Sequence, residues 1–201
     1  MRVFLAAGLL VAAVFGGGDA KAQAIEVANV RYESSVDLAG QKLQLNGAGI
    51  RYKFVVKVYT AGLYLTQHAG TTQDALAAPG PKRIEIHMLR DIDGNELGKL
   101  FTKGMEDNAT PGEFAKCING VLKLGEVFAN RKKLSSGDAF SVDYVPGVGS
   151  ALLVNGKSVL TEPIKEPEFF SALLRIWLGN KPADDGLKDA LLGIKRGAPR
   201  R

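Results

Sequence analysis

The stretch that decides the fold is Asn46-Gly-Ala-Gly-Ile-Arg-Tyr-Lys-Phe-Val-Val-Lys-Val-Tyr-Thr-Ala-Gly-Leu-Tyr-Leu65. Its glycines read as a turn, and Phe54 to Leu65 as the long strand that follows. Nearly every residue of that strand is apolar, β-branched or aromatic, the composition of a strand buried on much of both faces. Arg51, Lys53 and Lys57 are the charged exceptions. A guanidinium beside an apolar wall is costly unless an anion meets it, so Arg51 is the first candidate for ligand contact. The competing structural reading pairs Arg51 with a carboxylate of the protein itself or with the ends of backbone segments. Lys57 reads as a solvent-facing strand residue.

Working outward, the chain begins like a secretory signal. Arg2 supplies the positive start, Val3 to Phe15 a short apolar run, and Ala20-Lys-Ala22 and Ala22-Gln-Ala24 the small-x-small sites that a signal peptidase accepts. That run is too short for a permanent membrane helix, and no cysteine marks a lipoprotein cleavage site. The expectation is a signal peptide over residues 1–24, cleaved after Ala22 or Ala24, and a periplasmic or secreted protein. One domain follows over residues 25–194, then a frayed basic tail over residues 195–201. No later apolar run is long enough to span a membrane.

Cleavage would remove Arg2, Lys21 and Asp19, taking the formal charge from +5 to +4. The charge is scattered. Its one cluster, Asn130-Arg-Lys-Lys133, lies between a helix and a strand and carries no aromatic stacking platform, which argues for a solvated turn and against nucleic-acid binding. Cys117 is the only cysteine, so no internal disulfide forms and stability must come from the core; its place in an apolar helical pattern argues for buried packing. His68 and His87 have no acidic or thiol cluster of metal-site spacing beside them. Asp91, Asp93 and Glu96 are explained by helix-start capping. No metal and no cofactor are expected.

Strands occupy both ends of the domain and helices its middle and close. Val27–Leu38 and Gln41–Asn46 read as short strands parted by Ala39-Gly40. Residues 72–77 form a helical turn, and Arg83–Leu89 alternates in the period of a half-buried strand. Leu97, Leu100, Phe101 and Met105 hold helical spacing. Thr110-Pro-Gly-Glu113 is a capping-box start to a second helix that should bury Phe114, Ile118, Val121, Leu122 and Phe128. Ala139–Val145 and Ala151–Asn155 flank the Pro146–Gly149 turn. Asn155-Gly156 is a hairpin signal leading into Lys157–Leu160. A helix from Pro167 presents Phe170, Leu173, Leu174, Trp177 and Leu178, and a last helix runs from Asp185 to Leu192 before Gly193. Strand runs separated by a helical block indicate α+β, with a mostly antiparallel sheet covered by helices.

Three segments together resemble the chalcone isomerase-like family over residues 26–194: the Asn46–Arg51 stretch, Lys57-Val-Tyr-Thr-Ala-Gly-Leu-Tyr-Leu65, and Phe170-Ser-Ala-Leu-Leu-Arg-Ile-Trp-Leu-Gly179. The resemblance implies an open-faced β-sandwich in which a long curved sheet packs on a layer of helices, with a ligand cleft between them. In the plant isomerases a phenolate attacks an enone, a reaction that needs a cation and donors for the developing oxyanion. The family's arginine falls on Arg51. Its strand threonine aligns with Tyr59, its helix tyrosine with Phe114, its asparagine near Val121, and its C-terminal helix threonine with Ile176. Several polar groups have therefore become apolar, which argues against a flavonoid cyclase.

The surviving pair, Arg51 and Tyr59, looks like the arrangement with which the family's fatty-acid-binding members hold a carboxylate at the end of an apolar tunnel. A guanidinium fork and a phenol suit that head group. The resemblance thus favours a non-catalytic binding protein for a fatty acid or other hydrophobic carboxylate, with Arg51, Tyr59, Phe114 and Ile176 at the site. Two alternatives stand beside it: an isomerase or intramolecular lyase using Arg51, and an interaction protein whose cleft is filled by its own side chains. Phe114, Phe170 and Trp177 read equally well as plain core.

Overall fold

The Asn46–Arg51 stretch is continuous strand, and the turn comes later. The computed structural model describes residues 24–194; the expected signal peptide up to residue 23 and the basic tail lie outside the described residues. A small hairpin, β1 (Ile25–Val27) and β2 (Val30–Tyr32), precedes β3 (Ser35–Leu38), β4 (Gln41–Lys53) and β5 (Val56–Leu65). Then come α1 (Thr72–Ala77), β6 (Lys82–Met88), β7 (Ile92–Asp93) and three helices, α2 (Gly94–Asp107), α3 (Pro111–Lys116) and α4 (Ile118–Asn130). The chain continues through β8 (Lys133–Leu134), β9 (Ala139–Val145), β10 (Gly149–Val154), β11 (Lys157–Ser158), α5 (Pro167–Leu178) and α6 (Asp185–Leu191).

Seven strands form one antiparallel sheet in the order β11-β10-β9-β6-β5-β4-β3. Its tight turns follow from local chemistry. Ala39-Gly40 and Asn155-Gly156 each hold two successive residues at positive φ, the type I′ geometry that matches strand twist. The β4–β5 loop is instead Phe54-Val55, both exposed, so the apolar run splits into a turn and a strand. Hydrophobicity alone does not separate the two.

The glycines of β4 serve packing. A methyl group at Gly47 would lie 2.0 Å from the carbonyl oxygen of Ala190, and one at Gly49 would lie 2.6 Å from the Ala190 Cβ. Their absence lets α6 lie on the strand. Between them and β3 sits a bulge: Leu45 faces Tyr64 and Gly47 faces Leu63, leaving Asn46 unpaired. Its amide donates to the carbonyls of Ala69 (2.9 Å) and Leu191 (2.7 Å) and accepts from the Ala69 N–H (2.7 Å). A bulge frees a residue from the ladder, and here that residue ties strand, loop and helix together.

Strand β5 is buried on both faces, as its composition requires. Ala61, Leu63 and Leu65 belong to the main core under the helices. On the opposite face Tyr64 packs with Tyr32 and Leu43. Tyr32 covers Gly62, where a Cβ would fall 2.6 Å from its ring, and donates its hydroxyl to Thr60 Oγ1 at 2.7 Å. The β1–β2 hairpin is thus a patch over the outer face of the sheet's centre.

The helical layer starts at predictable caps. Asp93 accepts from Glu96 N–H, and Thr110 and Glu113 complete the capping box. The second helix differs from the expectation. It breaks at Cys117 (φ −115°, ψ 12°) into α3 and α4. Within α4, Val121, Leu124 and Phe128 make the buried face, while Ile118 and Leu122, expected in the core, are exposed. Cys117 itself is buried. Helix α5 is the buried centre of the layer: Phe169, Phe170, Leu173, Leu174, Trp177 and Leu178 are all enclosed. Among the described residues no helix is long and apolar enough to cross a membrane.

Candidate functional site

Arg51 and Tyr59 are directly opposite one another on β4 and β5. Cross-strand partners share a face, and the Arg51 guanidinium carbon sits 5.7 Å from the centre of the Tyr59 ring, within cation–π range. Just beyond this pair the register slips again, Tyr52 facing Lys57, so that Val58 is the extra residue of a second bulge. In a regular strand neighbours point to opposite faces; the bulge lets Val58 and Tyr59 both line one cavity. That cavity, about 210 Å³, lies between the sheet and the helices, with Phe101 and Leu100 of α2 and Ile176 of α5 among its walls. Lys103, Asp107 and Lys181 add polar groups to its lining. Lys103 and Asp107 pair with each other at 2.9 Å.

The Tyr59 phenol is buried, at 3 % exposure, and accepts a 2.8 Å hydrogen bond from Trp177 Nε1. Its own proton remains available to donate. Burial pushes its pKa up to about 12, against the opposing pull of Arg51 and the Trp177 N–H, so the phenol stays a donor near neutral pH. Among the described residues the Arg51 guanidinium has neither a hydrogen-bond nor an ion-pair partner. The nearby Asp184 is engaged elsewhere, accepting from Leu187 N–H and Tyr52 N–H at 2.9 Å each. A half-buried cation and a buried neutral donor thus converge at an apolar cavity, an arrangement for an anion with an apolar body.

The structure brings together three of the four residues singled out from sequence: Arg51, Tyr59 and Ile176. Phe114 lies elsewhere, on α3, lining a separate depression with Ala109, Pro111 and Ile118. Trp177 was legible only as core. A fully buried indole needs an acceptor for its N–H, but sequence could not say that Tyr59 supplies it. The remaining candidates fall where local chemistry places them. Lys57 is exposed. Asp91 accepts from Lys133 and from Ser136 N–H, Asp93 caps α2, and His87 contacts Glu85 at 2.7 Å. Arg131 to Lys133 turn the chain from α4 into β8. Among the described residues no cluster of His, Cys, Asp and Glu could hold a metal.

A profile of the chalcone isomerase-like family matches residues 24–193. The chain belongs to the chalcone isomerase-like family. Among solved structures, a fatty-acid binding protein of Arabidopsis thaliana superposes with a TM-score of 0.68 at 12 % identity, covering 85 % of this chain and 96 % of that one. At that identity the likeness establishes the fold. No curated protein matches the sequence. The chalcone isomerase-like fold accounts for the large curled antiparallel sheet, the helical layer and a cleft between them.

Proposed function

We propose that the protein is a non-catalytic binding protein for a hydrophobic carboxylate, exported through its N-terminal segment and holding its ligand by the head group. Arg51 presents a planar pair of charged donors, Tyr59 adds a neutral one, and Ile176, Phe101, Leu100 and Val58 receive the apolar part. The observation that carries this reading is a guanidinium with no hydrogen-bond or ion-pair partner among the described residues, placed over Tyr59 at a cavity between sheet and helices. That a chalcone isomerase-like protein of the same fold is a fatty-acid binding protein supports it.

The cavity constrains the ligand. Its volume of about 210 Å³ is below the roughly 300–1,000 Å³ of sites for drug-sized ligands. Behind it Phe101 packs edge-on against Phe128 and Trp177, with Phe140 alongside. A short acyl chain suits this volume, whereas a long one must leave part of its tail at the mouth. The same aromatic packing favours, as a second reading, an interaction protein with a cleft filled by its own side chains.

Calorimetric titration with octanoate and palmitate separates the two. Binding is expected for octanoate, and Arg51→Ala should weaken it at least tenfold while leaving the protein folded, since a hydrogen bond to a charged group contributes about 1.5–3 kcal/mol. If neither acid binds, or if Arg51→Ala binds as well as the parent, the carboxylate reading is wrong.

A further inference from the structure

The loop between β4 and β5 is an apolar tip built against local preference. Phe54 and Val55 are 92 % and 90 % exposed, and Phe54 holds φ +58°. Of the two loop residues only the first has positive φ, as in a type II′ turn, where glycine is the residue that fits without strain. A phenylalanine there is unfavourable for the fold and for solubility alike. Isolated exposed apolar residues need no explanation. Two adjacent ones at a strained turn, continued by the partly exposed Tyr52 and Val56, form a projecting wedge.

The wedge is ringed by positive charge. Lys53 and Lys57 flank it on the two strands, and Arg51 follows on β4. Of the acidic residues near this end of the sheet, Asp107 is paired with Lys103, Asp184 is tied down by the Tyr52 and Leu187 amides, and Asp185 beside it is exposed; none is ion-paired with Lys53 or Lys57 among the described residues. A two-residue tip is too small for a specific protein interface, which needs on the order of 1,000 Å². It is the right shape for the interface of a bilayer, where aromatic and branched side chains enter the acyl boundary and lysines reach back to anionic head groups.

We infer that the β4–β5 tip is a membrane-docking element, inserting Phe54 and Val55 into an anionic lipid surface with Lys53 and Lys57 on the head groups. The placement gives docking a purpose that rests on the carboxylate reading. Arg51, Val58 and Tyr59 of the cavity lie on the same two strands within a few residues of the tip. Docking therefore brings the cavity end of these strands close to the source of an acyl ligand.

The test uses vesicles of phosphatidylcholine alone and of phosphatidylcholine with a quarter phosphatidylglycerol, at low and high salt. The full chain should sediment with the anionic vesicles, less so at high salt. Phe54→Gly with Val55→Ser relieves the turn and so preserves folding; it should weaken binding tenfold or more. Lys53→Gln and Lys57→Gln should each weaken it about fivefold. Because residues 1–24 are common to every variant and could bind lipid themselves, a reading local to the tip is added. In Phe54→Trp, the added emission should be quenched by lipids brominated in the acyl chain.

Added emission in the Phe54→Trp variant that brominated lipid leaves untouched overturns the inference, as does a parent chain that ignores both vesicle types. Octanoate titration without vesicles keeps the two proposals apart. Docking with no octanoate binding upholds the tip and refutes the ligand reading, whereas octanoate binding with no docking does the reverse.

Discussion

Gly47→Ala tests the packing of α6 on β4. A Cβ at this position would lie 2.0 Å from the Ala190 oxygen and 2.9 Å and 3.0 Å from the oxygen and carbon of Leu191. Close carbon–oxygen contacts sit at roughly 3.3 Å or beyond, so α6 would have to retreat by more than 1 Å. All three obstacles are backbone, and no rotamer change can relieve them. The retreat would stretch the Asn46-to-Leu191 hydrogen bond and loosen Leu187 and Leu191, both fully buried.

Overpacking costs about 1–3 kcal/mol, and complete loss of the two leucine contacts about 3–6 kcal/mol. The gain from replacing a strand glycine, about 0.5–1 kcal/mol, offsets only part of this. The expected destabilisation is therefore about 3 kcal/mol, or roughly 6–12 °C in Tm for a domain of this size. Urea unfolding followed by far-ultraviolet circular dichroism measures it. Gly70→Ala is the control, since nothing lies within 4 Å of a Cβ there and its effect should stay within about 0.5 kcal/mol. A loss below about 1 kcal/mol at Gly47 would refute the close approach of helix and strand.

Two further outcomes follow from the site and its surroundings. Tyr59→Phe removes the acceptor of the buried Trp177 N–H and should cost about 1–3 kcal/mol in thermal or urea unfolding; an unchanged stability would mean that the indole finds another partner. Glu113 is held down from an ordinary 4.5 to about 2, first by the Thr110 backbone N–H and then by Arg175. A depressed carboxylate pKa contributes stability that is present above the unfolded value and lost as pH falls through the folded one. Glu113→Gln should therefore melt below the parent above pH 4.5, and the two should converge as pH approaches about 2; curves that stay parallel through that window would remove the charge from the account.

The three segments that carried the family resemblance also hold Arg51, Tyr59 and Ile176, which line one cavity. Arg51 and Tyr59 were legible because their residue types are chemically odd in an apolar strand, and the caps at Thr110 and Asp93 because a cap is a property of four consecutive residues. Phe114, whose helix was foreseen, lies apart from the cavity that Arg51, Tyr59 and Ile176 line. The expected single helix is split at Cys117 into α3 and α4, a break that periodicity does not announce. Ile118 and Leu122 are exposed because the face of α4 that meets the core is the one carrying Val121, Leu124 and Phe128.

The sequence by itself determined what neighbours along the chain can decide: the succession of strand and helical blocks, the turns at Ala39-Gly40 and Asn155-Gly156, and the α+β class. Tertiary structure alone decided what depends on residues distant along the chain. Glycines 47 and 49 read as a turn until Ala190 was seen to lie against them. Phe54 and Val55 read as strand until the ladder closed at Lys53 and Val56. Tyr59 gained Trp177 across 118 positions of sequence, and Arg51 proved to have no hydrogen-bond or ion-pair partner among the described residues. Composition and spacing report how much a residue gains from burial or from a given backbone shape; they carry no information on which surface will arrive to bury it.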